Sequence, residues 1–203
     1  MRFLKGDEWL RFFKRHRDKK IFSLSDLSQL TGEDKSSLYV QLTRLVKSGL
    51  VKRVAYRWYE NPFSPPTPEE ISMILRYPSY LSMEYALSRQ GILSQAVYTL
   101  TLVTTKLPYT YKTEDATYEY HQIHKTLFWG YEKEGFVNVA EPEKALLDLI
   151  HIRCTKKRGT STAMIKSLFD DMDMDDLDLE RLRTYSERFP PKTRKILHEM
   201  MNW

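Results

Sequence analysis

The apolar positions of the first sixty residues recur at helical spacing, break at two glycines, and then alternate. Trp9, Leu10 and Phe13 fall on one side of segment 3–17, with Arg11, Lys14 and Arg15 between them, which predicts a helix with a basic outer face. Leu27 and Leu30, both read as inward-facing, mark a short second helix. It starts at Ser23, where Ser23 and Asp26 have the spacing of a capping box, and it ends at Gly32, which can take the left-handed conformation that closes a helix. Leu38, Leu42, Leu45 and Val46 predict a third helix over about 34–48. The side opposite that stripe carries Ser36, Ser37, Val40, Thr43, Arg44 and Lys47, with Tyr39 and Gln41 on its flanks. Gly49 stops the helix, and 51–59 alternates loosely, as a small hairpin would. No Gly or Asn favours a tight turn there, so the hairpin is expected to be short or irregular. Two helices joined by a tight turn and followed by a hairpin make a winged helix-turn-helix, whose second helix is shaped to enter the DNA major groove.

Residues 61–68 contain four prolines, which stiffen the backbone and block continued helix or strand. The expected division is therefore a winged helix-turn-helix over 1–62, a linker over 63–68, and a mixed α/β domain over 69–203. In that second part, 82–91 reads as a capped helix ended by glycine. Segment 97–105 is β-branched and reads as a buried strand, with 109–112 and 117–123 as its antiparallel neighbours. A further strand is predicted at 136–139, and a helix at 142–150 with Pro142 in its first turn. Helices are also expected at 163–169, 177–189 and 193–201. The predicted class is α+β, with a small, mostly antiparallel sheet and a helical C-terminus.

Composition sharpens this picture through charge. Residues 1–63 hold 14 Lys/Arg and 7 Asp/Glu, whereas the remaining 140 hold 18 and 20. A basic first third beside a nearly neutral remainder is the electrostatic footprint of a nucleic-acid-binding module on a neutral partner domain. The lone Cys154 forms no intrachain disulfide. With no apolar run of signal-peptide length at the start and none long enough to span a bilayer, a cytoplasmic protein without a membrane partner is expected.

Double-stranded DNA is the expected partner. Helix-turn-helix proteins read bases with the N-terminal half of the recognition helix and hold phosphates with flanking cations. The candidate contacts are Lys35, Ser36, Ser37, Tyr39, Val40 and Arg44 on the third helix. Lys52, Arg53 and Arg57 on the wing, with Lys19 and Lys20 before the second helix, would hold phosphates. Arg44 suits guanine and Val40 a thymine methyl. Catalytic motifs are scarce: there is no glycine-rich phosphate loop, Gly-x-Ser-x-Gly or His-Glu-x-x-His. No enzymatic activity, cofactor or metal is expected. Glu84, Glu143, Lys144 and Asp148 resemble a nuclease-like acidic-plus-lysine cluster, but the simpler expectation places Glu143, Lys144 and Asp148 on the outside of a helix that buries Ala145, Leu146 and Leu149. His121, His124, His151 and Cys154 are read as ordinary structural side chains, because strand spacing does not put His121 and His124 on one face. The acidic run 170–180 lacks the spaced ligands and glycine of a calcium loop and reads as a solvated helix start.

Several segments of the second part stand in a specific order: Tyr77-Pro-Ser-Tyr-Leu-Ser-Met-Glu-Tyr-Ala-Leu-Ser88, Val103-Thr-Thr-Lys106, Tyr118-x-Tyr-His121-x-Ile123, Phe128-Trp-Gly-Tyr131, and Val139-Ala-Glu-Pro-Glu-Lys-Ala-Leu-Leu-Asp-Leu-Ile150. With the preceding helix-turn-helix, this set resembles the AbiEi family of antitoxins from bacterial abortive-infection systems, over roughly residues 20 to 152. The resemblance implies a phage-defence protein whose winged domain binds promoter repeats and represses its own operon. It also implies that the second domain counteracts a nucleotidyltransferase-like toxin without a stable complex. Repeated sites would permit self-association on DNA. Departures are the wing, where family members often carry glycine before the final tyrosine, and the acidic segment. The alternative is a winged-helix transcriptional regulator whose α/β domain binds a ligand or partner, with no toxin involved.

Overall fold

The computed structural model describes residues 6–113, 115–156 and 169–201. Its contacts divide into two units, Met1–Leu75 and Arg76–Trp203. Both are α+β, and among the described residues no helix is long and apolar enough to cross a membrane.

The first unit runs α1 (Gly6–Arg15), β1 (Ile21–Ser23), α2 (Leu24–Thr31), α3 (Lys35–Lys47), β2 (Arg53–Ala55), β3 (Trp58–Glu60) and α4 (Pro68–Leu75). The three strands pair antiparallel in the order β1-β3-β2, which completes a winged helix-turn-helix. The helix stops are those the sequence predicts. Ser23 Oγ accepts from Asp26 N at 3.0 Å while Asp26 Oδ2 accepts from Ser23 N at 2.8 Å, a complete capping box. Gly32 closes α2 at φ 73°, where a side chain would be strained. Trp9, Phe13, Phe22, Leu27, Leu38 and Leu42 form the fully buried centre. Leu30 departs from expectation: α2 faces this core through Leu24 and Leu27, and Leu30 is 49% exposed.

The proline-dense segment is not a free tether. Asn61 is fully buried, and its Nδ2 donates to the carbonyls of Phe13, His16 and Lys19 at 3.0, 2.8 and 3.1 Å. These are carbonyls at and beyond the end of α1, so one amide gathers the backbone acceptors where the helix stops. Downstream, Glu70 at the start of α4 accepts from Thr67 N and holds Lys20 Nζ at 2.9 and 3.0 Å. Segment 63–75 therefore belongs to the first unit, and the division falls after Leu75 rather than at the prolines.

The second unit is built on a six-stranded sheet: β4 (Ser79–Leu81), β5 (Thr99–Thr104), β6 (Tyr109–Lys112), β7 (Thr117–Gln122), β8 (Tyr131–Glu134) and β9 (Val137–Ala140), in the order β6-β7-β5-β4-β9-β8. Three of its five pairings are antiparallel, but β5 pairs with β7 in parallel, as does β4 with β9. The β6–β7 hairpin adds through β7, which separates β6 from β5 and corrects the expectation that both flank β5 antiparallel. α5 (Met83–Arg89) packs on β5 and on α6 (Pro142–Ile150), and α7 (Leu179–Ser186) and α8 (Pro191–Met201) pack on α6. α6 runs on into a π-helical turn over His151–Lys156. The helix expected at 163–169 lies mostly outside the described residues. In the acidic run, Asp178 caps α7 by accepting from Glu180 N and Arg181 N at 3.1 and 3.0 Å.

Candidate nucleic-acid interface

α3 is two-faced. Ser37, Leu38, Gln41, Leu42 and Leu45 are buried, whereas Lys35, Ser36, Tyr39, Val40, Arg44 and Lys47 are exposed. The exposed set follows helical spacing along one side, so these side chains form one stripe. Tyr39 and Val40 stay 38% and 45% exposed, which leaves an aromatic and an aliphatic side chain among the cations.

Ser37 corrects the sequence reading. It is 3% exposed, and its Oγ accepts from Gln41 Nε2 at 3.1 Å. Gln41 Oε1 in turn accepts from Trp9 Nε1 at 3.2 Å. This buried chain ties the concealed side of α3 to α1 and sets the rotation that turns Tyr39, Val40 and Arg44 outward. Ser37 and Gln41 looked like part of an amphipathic polar side because spacing alone does not show that a polar residue has a buried partner. Ser36 is exposed but locally engaged, since its amide donates to the capping carboxylate of Asp34 at 3.0 Å. The Ser36 and Ser37 donors hold the Asp34 carboxyl below its ordinary range.

The wing has a two-residue turn, Tyr56-Arg57, between Ala55 and its partner Trp58. Arg57 sits at φ 63°, the left-handed region that a tight hairpin turn requires and that Gly or Asn fills more easily. Its carbonyl accepts from Leu24 N at 2.9 Å, which pins the turn to the start of α2. Its guanidinium lies 5.1 Å from the ring of Tyr56, itself 68% exposed. Lys52 and Arg53 are also exposed. Two of the expected phosphate contacts are otherwise employed: Lys20 is paired with Glu70, and Lys19 Nζ lies 3.1 Å from Asp26. A phosphate would have to compete with these carboxylates. The structure thus assembles Lys35, Tyr39, Val40, Arg44, Lys52, Arg53 and Arg57 as exposed groups of one winged unit.

The α2 cap gives a stability test. Burial pushes the Asp26 carboxyl up, but the Ser23 donors and the Lys19 ammonium outweigh it and hold it below its ordinary value. A carboxyl lowered in the folded state stabilises it above the unfolded value, about 3.9, and that contribution is lost as pH falls through the lower folded value. Thermal unfolding is expected to show the first unit weakening below about pH 4, with Asp26→Asn flattening that dependence. Ser23→Ala is expected to cost about 1 kcal/mol near neutral pH.

The second unit has a polar centre where none was expected. Glu143, Lys144 and Asp148 are 2%, 0% and 0% exposed, not on the outside of α6. Helices α5, α7 and α8 cover the helix, so both of its faces are interior. Lys144 Nζ donates to Asp148 Oδ1 and, at 2.8 Å, to Tyr80 OH. Tyr80 OH and Ser82 Oγ each donate to Asp148 Oδ2 at 2.9 Å. Burial pushes the Lys144 ammonium down and the Asp148 carboxyl up, while each partner draws the other toward the charged form. The ammonium also lies 5.2–5.3 Å from the ring centroids of Tyr80, Trp129 and Phe189. Gly130, at φ 70°, brings its backbone against this lysine: an added Cβ would lie 3.0 Å from Lys144 Cγ. Met83 follows Ser82 at φ 58°, an unusual value for a side-chain-bearing residue. The bonds from Ser82 to Asp148 and from Thr101 Oγ1 to the Ser82 carbonyl, 2.6 Å, pin that turn. An i,i+4 Lys–Asp pair inside an apolar helical run was the available sequence signal, and it reads equally well as a surface pair.

His121 Nε2 lies 3.5 Å from Glu119, His124 caps a short 3₁₀ turn (Lys125–Leu127), and His151 Nδ1 bonds Thr193 Oγ1 at 2.9 Å. Among the described residues, no three His, Cys, Asp or Glu side chains gather as a metal ion would need. Comparison with protein families finds no matching family model, and no curated protein matches the sequence significantly.

Proposed function

We propose that this protein is a sequence-specific DNA-binding repressor, with α3 reading the major groove and the β2–β3 wing holding an adjacent phosphate backbone. The observation that carries this reading is the exposed stripe on α3, where Tyr39 and Val40 lie among Lys35, Arg44 and Lys47. An aromatic and a β-branched side chain left this exposed suit contact with base edges and thymine methyls. Arg57 adds support: a strained backbone position keeps a guanidinium at the wing tip, where a phosphate-binding cation belongs. The test is binding to upstream DNA of its own gene and to scrambled DNA of equal length, by gel shift.

We further propose, on the ordered segments that resemble AbiEi antitoxins, that the repressed operon encodes a nucleotidyltransferase-like toxin, which the second unit counteracts without a stable complex. Co-expression with a toxin gene of that type beside it is expected to restore growth, and absence of rescue would remove the antitoxin role while leaving DNA binding intact. The reading without a toxin, a regulator whose α/β unit takes a ligand, draws on a cleft in the second unit.

A further inference from the structure

Three separate stretches of the second unit meet around a cleft of about 330 Å³. The 3₁₀ turn contributes His124, Thr126 and Leu127, the π-helical turn after α6 contributes His151, and the link between α7 and α8 contributes Arg188 and Phe189. The volume falls within the range of small-molecule sites, about 300–1,000 Å³.

The lining is one-sided in charge. It offers a guanidinium, two imidazoles and a hydroxyl above an apolar floor, and no Asp or Glu among the described residues lines it. Arg188 is exposed and held face-on, with its Cζ 3.7 Å from the centroid of the Trp129 ring. A guanidinium held over an aromatic ring can still turn its N–H edge to an oxyanion, the bidentate pairing that arginine favours. His124 is oriented as well. Its Nδ1 lies 2.8 Å from Thr126 Oγ1 and 3.4 Å from Thr126 N, contacts that fix the ring through Nδ1 and leave Nε2 as its other polar edge. The His151 ring is fixed by Thr193 and sits where the α-helix widens into a π turn, a distortion often found at functional sites.

No carboxylate beneath the cleft is left over to answer Arg188 among the described lining residues. Behind Phe189 lies the Lys144 ammonium, 5.2 Å from the ring centroid, and its partner Asp148 is committed to Lys144, Tyr80 and Ser82. The Arg188 charge adds to the burial that pushes Lys144 down, so the guanidinium is felt across the ring. An anion in the cleft would relieve that repulsion.

We propose that this cleft binds a small phosphate monoester, with the phosphate on Arg188 and His124 and the organic group on the apolar floor of Leu127 and Phe189. This assignment is independent of the DNA-binding reading, because every residue in it belongs to the second unit. Isothermal titration of the full chain with phenyl phosphate, inorganic phosphate and benzyl alcohol tests it. Phenyl phosphate is expected to bind saturably and at least about tenfold more tightly than either single-feature probe. Arg188→Gln and His124→Gln are each expected to weaken it by about tenfold while the protein still unfolds cooperatively. Absence of saturable phenyl phosphate binding, or binding that both variants leave unchanged, would overturn the site. Equal affinity for inorganic phosphate would overturn the role of the apolar floor.

Discussion

Lys144→Met is expected to destabilise the second unit by about 3–5 kcal/mol, the usual cost of leaving one member of a buried ion pair without its partner. The substitution keeps the aliphatic volume under Gly130 but strands the Asp148 carboxylate, which is fully buried and, among the described residues, retains the Tyr80 and Ser82 donors. Asp148→Asn strands the Lys144 ammonium in the same way: its amide oxygen can still accept from Tyr80 and Ser82, but its NH2 then faces the ammonium, donor against donor. The double variant Lys144→Met/Asp148→Asn removes both charges together. It is expected to be clearly more stable than the sum of the single effects allows, since neither charge is left alone. Chemical denaturation of the four proteins measures the coupling. Additive effects would mean that the two groups do not interact in the folded protein. If instead the pair lay on the outside of α6, as its i,i+4 spacing first suggests, Lys144→Met would change stability by less than about 1 kcal/mol.

The second large effect concerns DNA. Arg44→Ala is expected to weaken binding to the upstream sequence by about 1–3 kcal/mol, roughly 5- to 150-fold, and to relax discrimination at one base position. Arg57→Ala is expected to weaken specific and scrambled DNA alike and to lower the salt dependence by about one phosphate contact. The two variants separate reading from anchoring because Arg44 lies on α3 and Arg57 at the wing tip. Ser37→Ala supplies the contrast. Its hydroxyl is buried against Gln41, so the variant should lose thermal stability and retain its DNA contacts. If Ser37→Ala abolished specific binding while the fold remained intact, α3 would have to be rotated from the position described.

The winged unit was largely legible in the sequence because its signals are local. Ser23 with Asp26, Gly32 and Gly49 mark chain stops that neighbouring backbone geometry enforces, and the Leu38-Leu42-Leu45 stripe needs only helical periodicity. What escaped depends on partners far along the chain. Ser37 and Gln41 resemble surface residues until Trp9, 32 positions before Gln41, is found donating to the amide. Asn61 resembles the start of a linker until its amide is seen gathering the carbonyls where α1 stops. β1 has three residues and β8 a charged sequence, Tyr-Glu-Lys-Glu, so neither carries a strand pattern of its own; each exists through the strand it pairs with. The parallel β5–β7 pairing likewise follows from a hairpin adding by its second strand, which no local pattern encodes. In the second unit, α6 is covered by three helices, and that non-local burial turned an ordinary surface-type Lys–Asp spacing into a sealed polar centre. The cleft of His124, His151 and Arg188 draws on three segments spread over more than sixty residues, beyond the reach of spacing rules.

The measurement that bears most directly on the proposed function is a titration of the purified full chain against upstream DNA of its own gene and against scrambled DNA, at two salt concentrations. Tighter binding to the upstream sequence, weakening as salt rises and reduced by Arg44→Ala, is the expected result for a groove-reading helix anchored by phosphate contacts. Equal, weak binding to both DNAs, unaffected by Arg44→Ala, would contradict it. The stripe on α3 would then be a charged surface without a reading role.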